Sequence, residues 1–466
     1  MRAVFLAMAM LLAGVASAQT APDVPLQAGF AEVDVTPPTG YRMDGYFNER
    51  LSTGSKDPLM AKAVVFRQGP VSVALVVADV LGMPQSMSQD VRRRVSAATG
   101  IPVANISVAA THTHTGPLFA GERARVFSEL AAAKYGKDPL ASVRYPEMLR
   151  DRLVESIVTA HGRLTPVTLE FVRTSEDRVS FNRRFHMKDG SVRFNPGARN
   201  PDIVRVAGPI DPDLPFLMVK RDNVPVGALT VFALHLDTVG GTEYSADYAG
   251  HLATELRREF GDGFVSVFGL GTCGDINHLD VSGTRRLQAR LIGQQLAVDV
   301  VSSLGRTPMS PARLAAASTR VTLPLRPVTA AQVADAKARM SQVGTPAMPF
   351  LEQVATVTTL DLATRGATLD ADVQVFQLHS DLAVVLLPGE VFSELGLSIK
   401  QQSPYAHTLV IELSNDNPAY IPTEKAFREG SYETVNSRIA PGGGERLVTE
   451  AVRLLRALKD GAPQGR

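Results

Sequence analysis

The sequence predicts a mixed α/β fold: a mixed β-sheet core flanked by helices, in one large domain. Three observations carry this reading. Short apolar, β-branched runs bounded by Gly and Pro alternate with longer stretches of helical periodicity. No period of roughly 20–50 residues recurs, which excludes a solenoid or propeller. No Ser/Gly or Pro tract of linker type divides the 466 residues, although length alone allows two or three domains.

Strands are predicted at 62–67 and 71–80. In the second, Val71-Ser72-Val73-Ala74-Leu75-Val76-Val77-Ala78 is almost continuously apolar, as in a strand buried on both faces. A helix at 87–98 leads to a strand at 106–110, and another helix spans 146–161. Between 173 and 215 the pattern breaks into a stretch rich in Asn, Arg, Gly and Pro, and so long a loop in a compact domain is usually functional or disordered. Asn182-Arg183-Arg184 and Phe194-Asn195-Pro196-Gly197 favour an ordered surface near a site. Strands at 217–220 and 228–234 follow, then a helix at 249–260 that stops at Gly261, where a left-handed cap is expected. A strand at 265–269 and helices at 284–303 and 330–342 come next. Strands at 373–378 and 383–387, a helix at 391–402, a strand at 408–413 and a helix at 444–459 complete the pattern.

With 45% hydrophobic and 20% charged residues the chain is globular, neither disordered nor rod-like. A net charge of +1 gives no basic field, so no nucleic-acid partner is expected. Met1-Arg2, an apolar run over 3–15 and Ala16-Ser17-Ala18 read as a signal peptide over 1–18, with 19–466 as the exported domain, in the periplasm or the medium. No later stretch approaches the ~20 apolar residues of a membrane helix, so no transmembrane segment is expected. The only cysteine, Cys273, cannot close an internal disulfide and reads as a buried small hydrophobe.

Candidate chemistry sits at strand ends. Thr111-His112-Thr113-His114-Thr115-Gly116-Pro117 directly follows the strand at 106–110. His112 and His114 are expected to point to opposite sides of the chain. One of His112 and His114 can then bind a given metal while the other supports it or lines the cleft; two hydrogen-bonded loop histidines are the plainer alternative. His235 ends the strand at 228–234. Glu390 follows the buried run 383–389, where it can also serve the N-terminus of the next helix. Together His112, His235 and Glu390 form a two-histidine, one-carboxylate set, the ligand inventory of catalytic zinc with a position left for water or substrate. Zinc lowers the pKa of water toward ~7 and polarises a carbonyl, so an amide or ester is hydrolysed without a covalent nucleophile. No G-x-S-x-G elbow supports a serine hydrolase, and no phosphate-cradling glycine loop supports nucleotide chemistry.

The chain resembles the neutral, non-lysosomal ceramidases and their bacterial relatives. The resemblance runs from Ala28-Gly29-Phe30-Ala31-Glu32-Val33-Asp34-Val35-Thr36-Pro37 to the region of Tyr432. It is most specific, in this order, at 111–117, Asn182-Arg183, Phe232-Ala233-Leu234-His235, Gly271-Thr272-Cys273-Gly274-Asp275 and Leu387-Pro388-Gly389-Glu390. It implies one Zn2+ per chain, bound by His112, His235, Glu390 and Tyr420. Tyr420 is assigned from Asn417-Pro418-Ala419-Tyr420-Ile421-Pro422-Thr423, with Tyr432 as substitute. His114 is expected to orient His112 or to donate to a developing oxyanion. Arg183 is expected to position a carboxylate, hydroxyl or carbonyl of substrate, or else to be solvated beside Arg184. Asn277 stands where the family carries a serine, so it is expected to hydrogen-bond a substrate carbonyl rather than to be acylated. After the last helix there is no strand-rich counterpart of the family's C-terminal immunoglobulin-like domain. Asp247 reads as a helix cap. Asp79 resembles a family carboxylate for a second, structural metal, which is not expected here.

The expected function is exported, zinc-dependent hydrolysis of an amide in a small-molecule or lipid-like substrate, an N-acyl lipid such as ceramide or a related N-acyl or ester compound. The alternatives are a ceramidase-like binding protein that has lost catalysis, and a zinc esterase acting on a non-lipid substrate. A large apolar pocket would suit an acyl chain, and a polar cleft a sugar or peptide-like amide.

Overall fold

The structure, a computed structural model, describes residues 24–461 apart from 285, 306–308 and 311. The expected signal segment 1–18 lies outside the described residues. Among those described, no helix is long and apolar enough to cross a membrane.

Three sheets of one design follow one another along the chain. In the first, β1 (Gln27–Asp34), β2 (Met60–Gln68) and β3 (Val71–Ala78) run antiparallel. Helix α1 (Gln85–Thr99) then crosses over, and β4 (Ile106–Ala110) adds parallel to β3. Helices α2 (Gly121–Tyr135) and α3 (Tyr145–Gly162) lead out. The second sheet repeats the plan with β5 (Thr168–Ser175), β6 (Asp213–Arg221), β7 (Val224–Phe232), crossover helix α4 (Asp247–Phe260) and β8 (Val265–Leu270), followed by α5 (Ala289–Ser302). The third begins with β9 (Ala312–Pro324), then helices α6 (Ala330–Arg339) and α7 (Phe350–Thr364). It continues with β10 (Thr368–His379), β11 (Leu382–Leu386), crossover helix α8 (Ser393–Gln402) and β12 (His407–Ile411), and α9 (Gly443–Lys459) follows. A parallel pair needs a crossover of a dozen or more residues, and α1, α4 and α8 supply it.

The sheets pack on a shared core drawn from all three, including Phe66, Leu75, Leu217, Val267, Phe376 and Ile411. Each such side chain contributes about 1.5–3 kcal/mol by leaving water. Helices α1, α3, α4 and α5 cover the first two sheets, and α8 and α9 cover the third. The ends of the parallel strands meet: Asn415 N donates to Val108 O (2.7 Å), Gly271 N to Phe232 O (2.8 Å) and Glu412 N to Leu270 O (2.9 Å). Ligand sites of open α/β sheets lie at such carboxyl ends, and the predicted residues gather here.

The mixed α/β core flanked by helices agrees with the sequence reading, and each predicted strand and helix overlaps an observed one. β1, β5, β9, α2 and α7 were not expected. α7 reads Phe-Leu-Glu-Gln-Val-Ala-Thr-Val-Thr-Thr-Leu-Asp-Leu-Ala-Thr, whose β-branched residues favour strands until packing overrides propensity. β9 is Ala-rich and only partly buried. The stretch 173–215 is not one irregular loop. It holds parts of β5 and β6 and a small sheet in which Arg184–Met187 pairs with Val192–Phe194 and Ile203–Val206. Gly261 takes φ 102 and ψ 159 rather than the left-handed helical cap, although its N–H still reaches Arg257 O.

Asp247 opens α4 with φ 55 and is fully buried. Its carboxylate accepts from Thr238 N (2.9 Å), Val239 N (3.0 Å), Tyr248 N (2.6 Å) and the Thr238 hydroxyl, clamping the segment after His235 to the helix. Burial pushes its pKa up to about 6, above the ~3.9 of an unfolded Asp. The stability linked to its proton is therefore complete below about pH 4 and lost as pH rises through about 6, of order 3 kcal/mol. Urea unfolding of the wild type and of Asp247→Asn at about pH 4.5 and pH 7 is expected to show this part of the pH dependence missing from the variant. Equal pH dependence in the two proteins contradicts the assignment.

Candidate metal centre

Beyond β4 the chain stays beside β3, with Thr111 N and His112 N donating to Ala78 O and Val80 O. His112 then takes φ 70, a left-handed conformation uncommon outside glycine. The His112 and His114 rings lie on one side, their centroids 4.9 Å apart. The sequence expectation of opposed side chains is corrected, because alternation opposes consecutive residues and leaves i and i+2 on one face. His235, just beyond β7, brings its ring to 4.7 Å from His112 and 5.7 Å from His114. Each of the three imidazoles offers a nitrogen within 4.8 Å of the others.

Glu390 arrives from the third sheet. Glu390–Val391 pairs in parallel with Tyr420–Ile421, and Glu390 N donates to Ala419 O at 3.0 Å. Helix α8 begins only at Ser393 with Glu394 in its first turn, so Glu390 does not serve that helix terminus. The glycine-rich turn makes room for this carboxylate's backbone: a Cβ on Gly274 would stand 2.5 Å from Glu390 O. Glu390 Oε2 lies 3.3 Å from His112 Nε2 and 3.5 Å from His235 Nε2, and His114 Nε2 lies 3.4 Å from His112 Nε2. Bonds of about 2.0–2.1 Å to one tetrahedral ion set ligand atoms about 3.3 Å apart, so these separations fit atoms that share a cation. Glu390 Oε2 is also buried with no hydrogen bond from the protein.

The tautomers are fixed by backbone. His112 Nδ1–H donates to Leu81 O (2.6 Å) and His235 Nδ1–H to Cys273 O (2.9 Å), which leaves both Nε2 lone pairs for the centre. His114 Nδ1 makes no hydrogen bond and stands 3.5 Å from Asp237 Oδ1, which itself accepts from Tyr46 Oη (2.6 Å). Burial, then the Arg183 guanidinium, push His235 down to about 3. Burial and the two neighbouring imidazoles hold His114 well below the usual histidine range. Burial would raise Glu390, but the facing imidazoles hold it well below the carboxylate range. Burial also disfavours charge on His112, yet the Glu390 carboxylate raises its pKa.

Arg183 is buried rather than solvated. Its Nε donates to Glu433 Oε1 (2.8 Å) and its Nη2 to Gly274 O (2.8 Å), while Nη1 lies 3.4 Å from His235 Nε2. Its guanidinium also stands over the Tyr420 and Tyr432 rings. Tyr420 is buried, and its hydroxyl lies 3.4 Å from that of Tyr432. Both tyrosines line, with His112, His114 and Glu390, a cavity of about 360 Å³. Asn277 is not among the residues lining this cavity. It pairs with Phe181, its Nδ2 donates to Asn195 Oδ1 (2.6 Å), and its Oδ1 accepts from Leu279 N (3.0 Å). These bonds tie loops together.

Two buried carboxylates escaped the sequence reading. Glu412 accepts from Val391 N (2.6 Å), Cys273 N (3.3 Å) and the Cys273 thiol (3.2 Å), joining the turns that carry His235 and Glu390. Its signal was present, since an acid inside the apolar strand predicted at 408–413 is costly unless partnered. Glu433 had no such signal. Cys273 is fully buried as expected, and burial followed by Glu412 raises its thiol pKa well above the usual value; its carbonyl accepts from His235 Nδ1 at 2.9 Å and its sulfur lies 3.4 Å from the same nitrogen.

Imidazoles and a carboxylate at the strand ends of a mixed α/β fold form a donor set able to hold a catalytic metal ion. Residues 26–283 match the family described as neutral/alkaline non-lysosomal ceramidase, N-terminal, and the chain belongs to that hydrolase family. Glu390 and Tyr420 lie beyond the matched residues. A neutral ceramidase of Mycobacterium tuberculosis (strain ATCC 25618 / H37Rv) is 24% identical over 248 residues, a match spanning 49% of this chain and 36% of that protein. The fold is similar to that of neutral ceramidase from Pseudomonas aeruginosa, with a TM-score of 0.72 and 19% identity over 95% of this chain and 76% of that one. A second structure, titled ceramidase complexed with C2, gives a TM-score of 0.69 at 18% identity, covering 95% and 77% of the two chains.

Proposed function

We propose that the chain is a zinc-dependent amide hydrolase with one ion per chain, held by His112, His235 and Glu390 and completed by Tyr420. The carrying observation is the approach of His112 Nε2 and His235 Nε2 to within 3.3–3.5 Å of a Glu390 oxygen that has no other partner. When bound, zinc supplies Lewis acidity, which makes water nucleophilic near neutral pH and polarises an acyl carbonyl. The chain's own groups do the rest. Leu81 O and Cys273 O hold the two histidine rings in the tautomer that presents Nε2. His114, neutral and with no hydrogen bond at Nδ1, stands beside His112, where it orients that ring or donates to a developing oxyanion. Arg183 holds a fixed positive charge beside His235 and the tyrosines. Family membership supports a hydrolase, and ceramide, from which the neutral ceramidases take their name, is the reference N-acyl amide. Export after removal of 1–18, with 19–466 as the catalytic domain, belongs to the same proposal.

Purified protein stripped by 1,10-phenanthroline is expected to lose amide hydrolysis and to regain it with about one equivalent of zinc. Full activity in protein shown to be metal-free contradicts the proposal.

A further inference from the structure

α7 forms one wall of the cavity. Val357 and Asp361, at the i, i+4 spacing that puts residues on one helix face, line it together with Arg365, the extended residue just past the helix. Phe350, seven residues before Val357, falls on the same stripe. It packs on Phe47 (5.7 Å) and Tyr432 (5.3 Å), both cavity residues, and is 42% exposed. At 1.5 Å per residue the aromatic end and Asp361 stand roughly 16 Å apart along the wall. Arg123, paired with Asp44, also lies over the Phe47 ring, so the cleft carries aromatic rings with one paired arginine at one end and Asp361 with Arg365 and Arg438 at the other.

At the charged end two guanidiniums share one carboxylate. Arg365 Nε and Arg438 Nε both donate to Asp361 Oδ2, at 3.1 Å and 2.8 Å. Behind them Arg326 donates only to the backbone carbonyls of Thr434, Val435 and Ser437. The cleft's other nearby carboxylate, Asp416, leaves Oδ2 buried with no hydrogen bond. Arg365 and Arg438 line the cavity together with Asp361 and Asp416, and Arg326 lies outside its lining. Among the described residues neither Nη group of Arg365 has a protein partner, and its side chain is 31% exposed. A second alkyl chain laid along this end would desolvate charges without pairing them.

We infer that the charged end binds a carboxylate on the amine half of the substrate, with Arg365 as the specificity-determining residue, so that the amide hydrolysed is that of an N-acyl amino acid whose acyl chain lies against the Phe47–Phe350 end. The inference rests on the amide-hydrolase reading of the metal centre. Water adds across the C–N bond: its hydroxyl goes to the acyl carbon and its proton to nitrogen, releasing a fatty acid and a free amino acid.

The zinc-loaded chain is assayed on N-dodecanoylglycine, N-dodecanoylglycinamide and N-dodecanoylsphingosine in mixed micelles. The acylglycine is expected to show kcat/KM about tenfold or more above the uncharged glycinamide. Arg365→Met is expected to cut that preference about tenfold, mainly through KM, and Arg365→Lys to keep part of it. A glycinamide or ceramide turned over as fast as the acylglycine overturns the inference and leaves the amide-hydrolase reading standing. So does an Arg365→Met variant that lowers kcat/KM for both glycine compounds alike. Failure to cleave any of the three overturns the hydrolase reading, and calorimetry then judges the subsite. N-dodecanoylglycine binding about tenfold more weakly to Arg365→Met supports the carboxylate site, and equal affinity removes it.

Discussion

Replacing His112 by alanine is expected to remove the metal and to lower kcat/KM for N-acyl amides by about 10³-fold or more, the loss that follows when several kcal/mol of charge stabilisation disappear from the transition state. The reason is geometric. His112 Nε2 lies 3.3 Å from Glu390 Oε2 and 3.4 Å from His114 Nε2, so it joins the carboxylate to the remaining imidazoles. Glu390→Gln is expected to match the loss of metal while preserving side-chain volume, because a neutral amide cannot balance the ion's charge. Elemental analysis of the purified variants beside the wild type, with far-ultraviolet circular dichroism as the fold control, checks both. A full complement of zinc in both variants sinks the ligand assignment.

The largest stability loss is expected at Glu433. It is fully buried and accepts from Arg183 Nε (2.8 Å) and Arg184 Nη1 (2.9 Å), while Arg184 also reaches Glu429 at 3.2 Å. Glu433→Ala leaves the Arg183 charge without its carboxylate in a site that excludes water, at a cost of about 3–5 kcal/mol. A urea unfolding midpoint reads this directly. Because Arg183 lies against His235 and both tyrosines, activity should fall with stability even where the variant remains folded. A stability change below about 1 kcal/mol would place the pair among weak ion pairs and remove Glu433 from the account.

The parts of the site that could be read from sequence are those that follow apolar strands. His112, His235 and Glu390 stand out because each comes after a run that must be buried, and a polar group there needs a purpose. What could not be read depends on backbone direction or distant pairing. Nothing in Thr111-His112-Thr113-His114 announces the φ of 70 at His112. Asn277 was aligned by its place after a glycine-rich turn, but its partners Asn195 and Phe181 come from a segment that looked irregular. Arg183 beside Arg184 has the look of a solvated pair until Glu433, 250 residues away along the chain, is folded against it. The fold shows the same division. β3 and β11 are legible as continuous buried runs, whereas β9 is Ala-rich and partly exposed and α7 carries strand-like residues. The missed α7 then supplies the cavity wall on which the substrate inference rests.

The central claim is that His112, His235 and Glu390 share one zinc ion. Diffraction from crystals of zinc-equilibrated protein, recorded on both sides of the zinc absorption edge, tests it most directly. The account predicts a single anomalous peak in the cleft, about 2.0–2.2 Å from His112 Nε2, His235 Nε2 and a Glu390 carboxylate oxygen. A zinc peak bound elsewhere, with none among these three residues, would contradict it.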